Sequence, residues 1–295
     1  MKRLLGKHLA RVLVLGLTAL GLSAPVWAHQ PVMDMAPRWE GGYGFQVRHE
    51  WRASDTLLDG DSEVDNPFGH KKRVNTTWLE GIYTFKREVR LSLKVPWVDQ
   101  SRTVVQNGVP VRQTGSGLGD IIIGVPLKSY TNLADVTWNI AFTPSLRLPT
   151  GSTAADFPVG DGSTDFGYSF SYSHEAAGLY QYYDLFGWVN TRGKKGITQG
   201  DEVGLDVNLG LHPYHDNLTN SGVFVMGDVS GRYEDVGVDT GGTTGGTRVS
   251  VGPVLVLYRQ GTMFRAAFKV PAYEKLNGPQ VSRGPEVNVG IGFVF

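Results

Sequence analysis

Apolar and polar residues alternate with a period of two from about Tyr43 to the last residue. That period puts the apolar set on one face of a β-strand. GYGFQVRHEW places Tyr43, Phe45, Val47, His49 and Trp51 together, and EVRLSLKVPW does the same for Val89, Leu91, Leu93, Val95 and Trp97, with Arg90, Ser92 and Lys94 opposite. DFGYSFSYSH sets Phe166, Tyr168, Phe170 and Tyr172 against serines, and EVGLDVNLGL sets Val203, Leu205, Val207 and Leu209 against Asp206 and Asn208. QYYDLFGWVN is apolar on both faces and leaves its register open. The chain ends EVNVGIGFVF, a strand with no turn after it. Such a strand needs a partner for its edge, in a soluble sandwich or in a barrel whose last strand meets its first. About twelve strands are predicted and no helix.

The connections alternate in length. Short ones are expected at Lys86–Glu88, Thr131–Asp135, Glu175–Leu179 and Arg259–Thr262, with a middling one at His212–Gly222. Long ones are expected near Ala53–Arg73, Asp99–Gly117, Pro149–Thr164, Thr191–Asp201, Glu234–Thr247 and Glu274–Gly284. Short turns at one end and long loops at the other mark an up-and-down transmembrane barrel, and an even strand count brings both termini to the short-turn end.

Orientation follows from the polar face. It carries Arg48, Glu80, Arg90, Lys94, Asp120, Asp206, Asp228, Arg265, Lys269 and Glu286. No soluble core could bury that set, so the charges face outer solvent or an enclosed lumen. Tyr83, Phe85, Trp97, Tyr130, Trp138, Tyr172 and Tyr258 fall near strand ends, as in the aromatic girdles of bilayer interfaces. Strands of about ten residues suit a tilted crossing, whereas soluble strands are nearer five or six. The reading is therefore apolar side chains toward lipid and the ten ionisable residues lining a lumen. Pro96, Pro126, Pro144, Pro253 and Pro271 sit inside the strand segments and should mark bulges or strand ends.

The N-terminus adds an address. Lys2, Arg3, Lys7 and Arg11 precede the short apolar run VLVLGLTALGL and a small-residue cleavage site at Val26-Trp27-Ala28, the pattern of a secretory signal peptide. The expected organisation is a leader over 1–28, a periplasmic tail over 29–38 and a barrel over 39–295 in the outer membrane. The absence of cysteine excludes disulfide scaffolds, thiol catalysis and a lipoprotein anchor. Removing the leader leaves 24 basic against 28 acidic residues, which argues against nucleic acid as a partner.

Two short segments carry a resemblance. TGSGLGDIIIGVPLKSY holds a G-x-G-D turn (Gly117, Gly119, Asp120) opening a strand, and LRLPTG ends a strand at a loop with Pro149, Thr150 and Gly151. Together with the strand rhythm they resemble the MetA-pathway phenol-degradation family of outer-membrane proteins, although Pro126 departs from the run after the G-D strand. The resemblance implies a barrel and passive uptake of small hydrophobic or aromatic solutes. The terminal Phe295 is similar to the C-terminal aromatic signature that barrel-assembly machinery reads.

Other chemistry is thinly represented. GSGLGD is not a dinucleotide fingerprint, because Asp120 stands at its last position and a strand follows. The loop holding Asp59, Asp61, Glu63 and Asp65 has Val64 where an EF-hand needs glycine. Lys71, Lys72 and Arg73 could meet lipopolysaccharide phosphates. DTGGTTGG (Asp239–Gly246) reads as a flexible loop at the mouth, and His29 would become a free terminal residue. Ser173 and His174 are adjacent and so fall on opposite faces. HPYH (His212, His215) falls in an expected periplasmic turn. No catalytic constellation, metal site or cofactor is expected. The alternatives to a channel are a structural or adhesive barrel and a surface hydrolase.

Overall fold

The structure is a computed structural model that describes residues 37, 39–132, 136–176, 178–194, 196–216, 218–238 and 243–295. The expected leader and nearly all of the tail, His29 included, lie outside the described residues, as do 133–135 of the expected Thr131–Asp135 turn and Asp239–Gly242 of the Gly-rich loop.

Twelve antiparallel strands close on themselves. They are β1 (Tyr43–Ser54), β2 (Lys72–Lys86), β3 (Val89–Gln106), a fourth in three pieces, β5 (Val136–Leu148), β6 (Asp165–Ala176), β7 (Leu179–Val189), β8 (Glu202–Asp216), β9 (Ser221–Glu234), β10 (Gly246–Arg259), β11 (Thr262–Leu276) and β12 (Glu286–Val294). The pieces are β4a (Val109–Leu118), β4b (Ile121–Gly124) and β4c (Leu127–Asn132). β1 pairs with β2 on one side and with β12 on the other, from Gly44↔Val294 to Arg52↔Glu286. β5 pairs with β6 and with β4b and β4c, which closes the ring of strands, while β4a stands beyond it and pairs with β3 alone. The final strand thus closes on the first, with Tyr43 and Phe295 exchanging backbone hydrogen bonds of 3.0 and 2.8 Å. No helix among the described residues is long and apolar enough to cross a membrane.

Alternation decides what faces where. Phe45, Leu93, Phe170 and Val225 point outward and are 42–52% exposed, while Gln46, Asn139, Asn208 and Asp228 between such residues are buried. The usual soluble pattern is inverted: the barrel wears its apolar side chains outside. The segment with open register also resolves. In β7, Tyr180, Tyr182, Asp184, Phe186 and Trp188 share the inward parity, and the β7–β8 register sets Leu185 opposite Leu205 on the outside.

Three expectations need correction. Asp99–Gly117 is not a long loop; β3 and β4a run on as a hairpin closed by Asn107 and Gly108, at φ 53° and 79°. Two successive positive φ values give the turn that matches strand twist, and Asn-Gly is its favoured sequence. His212–Gly222 is also mostly strand, since β8 runs to Asp216 and β9 begins at Ser221. Among the proposed girdle aromatics, Tyr130 lies under Arg87 and Arg90 at 4.9 and 5.3 Å, and the Tyr258 hydroxyl bonds two histidines. Both follow inward parity. Phe85 and Trp97 face outward at 50 and 57% exposure.

The prolines sit at ladder irregularities. Pro126 lies in the gap between β4b and β4c, where the Pro144 carbonyl accepts from the Val125 amide, and Pro96 faces the gap between β4a and β4b. Pro253 and Pro271 flank the interrupted β10–β11 register. A ring without an N–H cannot complete the ladder, so these breaks fall where no bond is forfeited.

Candidate functional site: the barrel interior

Inward-facing residues divide the interior into a packed floor near the short-turn end, an ionic belt above it, and a clamped rim at the long-loop end. The floor is one cluster of Tyr180, Phe224, Met226, Val254, Val256, Met263 and Ala267. His212 stacks on Phe224 with ring centroids 3.8 Å apart; its Nδ1 is 2.9 Å from Glu175 and its Nε2 3.1 Å from the Tyr258 hydroxyl. His215 Nδ1 reaches the same hydroxyl at 2.9 Å. Residues three apart on a regular strand face opposite ways. The register shift between Leu211 and Tyr214, at Pro213, brings both rings to the same side. The HPYH segment is therefore a bulged strand end and not a turn. On the opposite wall, Thr84 and Arg90 donate to the Pro37 carbonyl at 3.2 and 3.0 Å, which seats that tail residue inside the mouth.

Above the floor the wall becomes ionic. Arg48 donates to Glu80 through Nη2 at 2.8 Å and Nε at 3.1 Å and also pairs with Glu50. Lys269 Nζ lies 2.6 Å from Asp228, and both bond the Ser230 hydroxyl. Arg232 pairs with Glu202 at 3.2 Å, Arg248 with Glu234 at 3.3 Å, and Arg283 with Glu286 at 2.9 Å. Longer-range electrostatics add to these pairs: Lys94 on β3 and Asp184 on β7 are neighbours in charge, and Arg265 on β11 has Arg48 beyond Gly290 on β12 and Asp228 and Asp206 on β9 and β8. Among the described residues, Arg265 Nε and Asp206 Oδ1 have no hydrogen-bond partner. The β5–β6 wall differs: between Asn139 and Arg147 it carries only small side chains inward, including Thr143, Ser145, Ser169 and Ser171.

Eight of the ten ionisable residues read from the sequence (Arg48, Glu80, Lys94, Asp206, Asp228, Arg265, Lys269 and Glu286) lie in this belt. Arg90 is at the short-turn end and Asp120 at the rim. Asp228 does not pair with Arg248. Asp228 faces Gly252 on β10, and the missing side chain there lets Lys269 reach over from β11. Glu80 takes Arg48 as its direct partner, with Lys94 opposite in register; Arg90 is opposite Thr84, too far along the strand. Glu50, Arg52, Asp184 and Glu202 were missed, although each shares the parity of an inward residue on its own strand. The basic triplet splits the same way: the Lys72 ammonium turns over the Phe157 ring at 5.9 Å, while Arg73 has the opposite parity.

The two motif segments meet at the rim. The Thr150 hydroxyl donates to the Gly119 carbonyl at 2.9 Å and accepts from the Ile121 amide at 2.9 Å, bridging the break between β4a and β4b. Asp120 Oδ1 accepts from the Gly151 amide at 2.8 Å, and Pro149 leads into this contact from the end of β5. A Cβ on Gly151 would come within 2.7 Å of Gly160 and 2.9 Å of Asp120. Gly117 has φ 141°, a conformation side chains rarely adopt. Burial holds the Asp120 carboxyl above its ordinary range, against the opposing pull of the Gly151 amide. The clamp folds segment 149–164 inward, where Phe157 lies 4.4 Å beneath the Arg102 guanidinium and Gln100 bonds the Pro158 carbonyl at 2.7 Å.

Ser173 is buried against Asn139 while the adjacent His174 has the opposite parity. Among the described residues, no group of three or more His, Asp or Glu could hold a metal ion.

Comparison with known proteins fits this architecture. The COG4313 outer membrane channel from Pseudomonas putida F1 superposes with a TM-score of 0.69 at 15% identity, covering 91% of this chain and 100% of that one. The β domain of the Bordetella autotransporter BrkA gives a TM-score of 0.43 at 10% identity over 87% of this chain and 100% of that one. No curated protein matches significantly. The model of the family described as "Putative MetA-pathway of phenol degradation" matches residues 54–293, and the chain belongs to that family.

Proposed function

We propose that this protein is an outer-membrane channel for passive uptake of small solutes, hydrophobic or aromatic ones among them. The observation that carries the reading is the inverted barrel, with an apolar exterior suited to lipid and an ionic interior suited to water. The protein of similar fold from Pseudomonas putida F1 is described as a channel, and the family description points to phenol degradation.

In this reading the short-turn end and both termini face the periplasm after removal of the leader. The belt residues Arg48, Glu80, Lys94, Asp206, Asp228, Arg265, Lys269 and Glu286 line the path and set its field. The packed floor blocks one side of the bore, so solute descends along the small Ser/Thr wall of β5 and β6. Arg90 holds the tail at the exit. The motif residues Gly117, Gly119, Asp120, Pro149, Thr150 and Gly151 shape the entrance by pinning segment 149–164, and Phe295 serves as the assembly signal. Lys71 and Arg73 meet lipopolysaccharide at the rim. No enzymatic step is invoked, because transport down a gradient needs none.

Reconstitution tests this. Liposomes containing the mature protein should swell faster than protein-free ones in small polar or aromatic solutes of graded size, with a sharp size cut-off. Absence of any permeation by correctly folded barrels would overturn the channel in favour of a structural or adhesive role.

A further inference from the structure

The belt contains a pocket of distinct chemistry. Arg232, Arg248, Lys269 and Arg283 line it together with the Ser230 and Ser250 hydroxyls, and Glu286 is its one acidic residue. At the same level, Arg52 projects from β1 opposite Glu286 in register. Among the described residues Arg52 makes no hydrogen bond or ion pair, and its strongest electrostatic neighbour is another guanidinium, that of Arg283. Two facing guanidinium groups repel each other, and an anion between them relieves the repulsion while gaining charge-assisted hydrogen bonds.

The same wall offers an aromatic surface. Phe186 on β7 lies over Gly204 on β8, where a Cβ would come within 2.2 Å of the ring. The Arg232 guanidinium carbon stands 5.0 Å over that ring. Next along β7, Trp188 carries Arg147 at 4.1 Å. A guanidinium stacked flat on a ring keeps its in-plane donors free to point sideways. Arg232 also lines the pocket, with its Nη1 held by Glu202.

We infer that the outer half of the lumen holds a recognition site for aryl carboxylates. The carboxylate sits between Arg52, Arg283 and Arg248, and the ring lies along the aromatic strip of β7. This rests on the channel reading and names the solute class that the belt selects. Such a site retains an anionic aromatic acid that simple partition into lipid would exclude.

The test is calorimetric titration of the purified mature protein in uncharged detergent with sodium benzoate, benzamide and sodium acetate. Benzoate should bind saturably. Benzamide, which lacks the charge, and acetate, which lacks the ring, should each bind at least about tenfold more weakly. Arg52→Gln orphans no partner acid and should weaken benzoate by about tenfold while keeping the heat-modifiable electrophoretic mobility of a folded barrel. Should that variant not fold, Arg283→Gln carries the same comparison. Benzoate bound no better than benzamide or acetate, or bound equally by a folded variant, overturns the site. Conductance separates the two readings. A barrel that passes potassium chloride but does not distinguish benzoate from benzamide loses only this site, and one that binds benzoate without conducting loses only the channel.

Discussion

β9 crosses two environments within fourteen residues. Its inward side chains run Phe224, Met226, Asp228, Ser230, Arg232 and Glu234 from the short-turn end to the long-loop end. The first two are 0 and 3% exposed inside an apolar cluster; Asp228, Arg232 and Glu234 pair with charges on β11, β8 and β10, and Ser230 hydrogen-bonds the first of these pairs. Its outward side chains show no such change: Val223, Val225, Val229 and Tyr233 are apolar throughout. The outside answers to one solvent along its whole length, while the inside is apolar below and ionic above. A period-two pattern therefore reports the outer face faithfully and says little about how the inner face is divided.

The largest effects should come from breaking the inner face in either half. Asp228→Leu leaves the Lys269 ammonium without its carboxylate and should cost about 3–5 kcal/mol, read as a shift in the urea midpoint of the folded-to-unfolded mobility change. Pairing it with Lys269→Met removes both charges and should restore most of the loss. In the floor, Phe224→Ala opens a cavity beneath His212 and Tyr180 and should cost a comparable ~3–5 kcal/mol. The two variants part in function: loss of Phe224 should raise conductance, whereas loss of the Asp228 charge should change ion selectivity. If Phe224→Ala leaves conductance unchanged, the cluster is not a seal.

How much of this division could be read from the chain depends on which solvent wrote the pattern. Lipid demands apolar residues at every second position, so strands, closure and orientation were legible, as were the inward charges. The hairpin was legible too, since the Asn-Gly of VVQNGVPV is a two-residue turn signal, yet the polar character of Gln100, Arg102, Arg112 and Gln113 disguised it as loop. Those residues lie on strands that stand above the apolar belt, where lipid imposes nothing. The floor was hidden because an apolar inner face erases alternation, as in QYYDLFGWVN. Pairing was hidden because Lys269 reaches Asp228 over Gly252, a two-strand reach that no parity rule contains. Tyr130 and Tyr258 show the reverse error: proximity to a strand end suggested a girdle, although parity alone would have sent them inward.

The outer face supplies the next test. Val229 is 46% exposed and paired with Val207 and Val251, in the middle of the apolar exterior. Val229→Arg should cost about 2–4 kcal/mol in a bilayer. On the inner face, Ser171→Arg stands on the wall of small side chains opposite Asp184 in register and should cost much less. Equal costs for the two would mean that the exterior does not meet hydrocarbon. A smaller effect is expected at the rim. Phe157→Ala removes the ring beneath Arg102 and Lys72 and should loosen segment 149–164 by about 1 kcal/mol, seen as faster amide exchange there and a modest rise in conductance.

The smallest effect probes the clamp that separates belt from mouth, and its sign follows from Asp120. Burial raises this carboxyl above its unfolded value, so the folded protein holds the proton more tightly than the unfolded chain does. The contribution of Asp120 is therefore most favourable below the ordinary Asp range and is lost as pH rises through the raised value. Asp120→Asn keeps an oxygen for the Gly151 amide but removes the buried charge. At neutral pH the variant should unfold at a slightly higher urea concentration than the parent, and the difference should vanish under acid conditions, where the parent carboxyl is protonated. Other carboxylates titrate equally in both proteins and cancel in the comparison. A variant less stable than the parent at neutral pH would instead show that the ionised carboxylate holds the loop, and that charge is used at the rim as it is in the belt below.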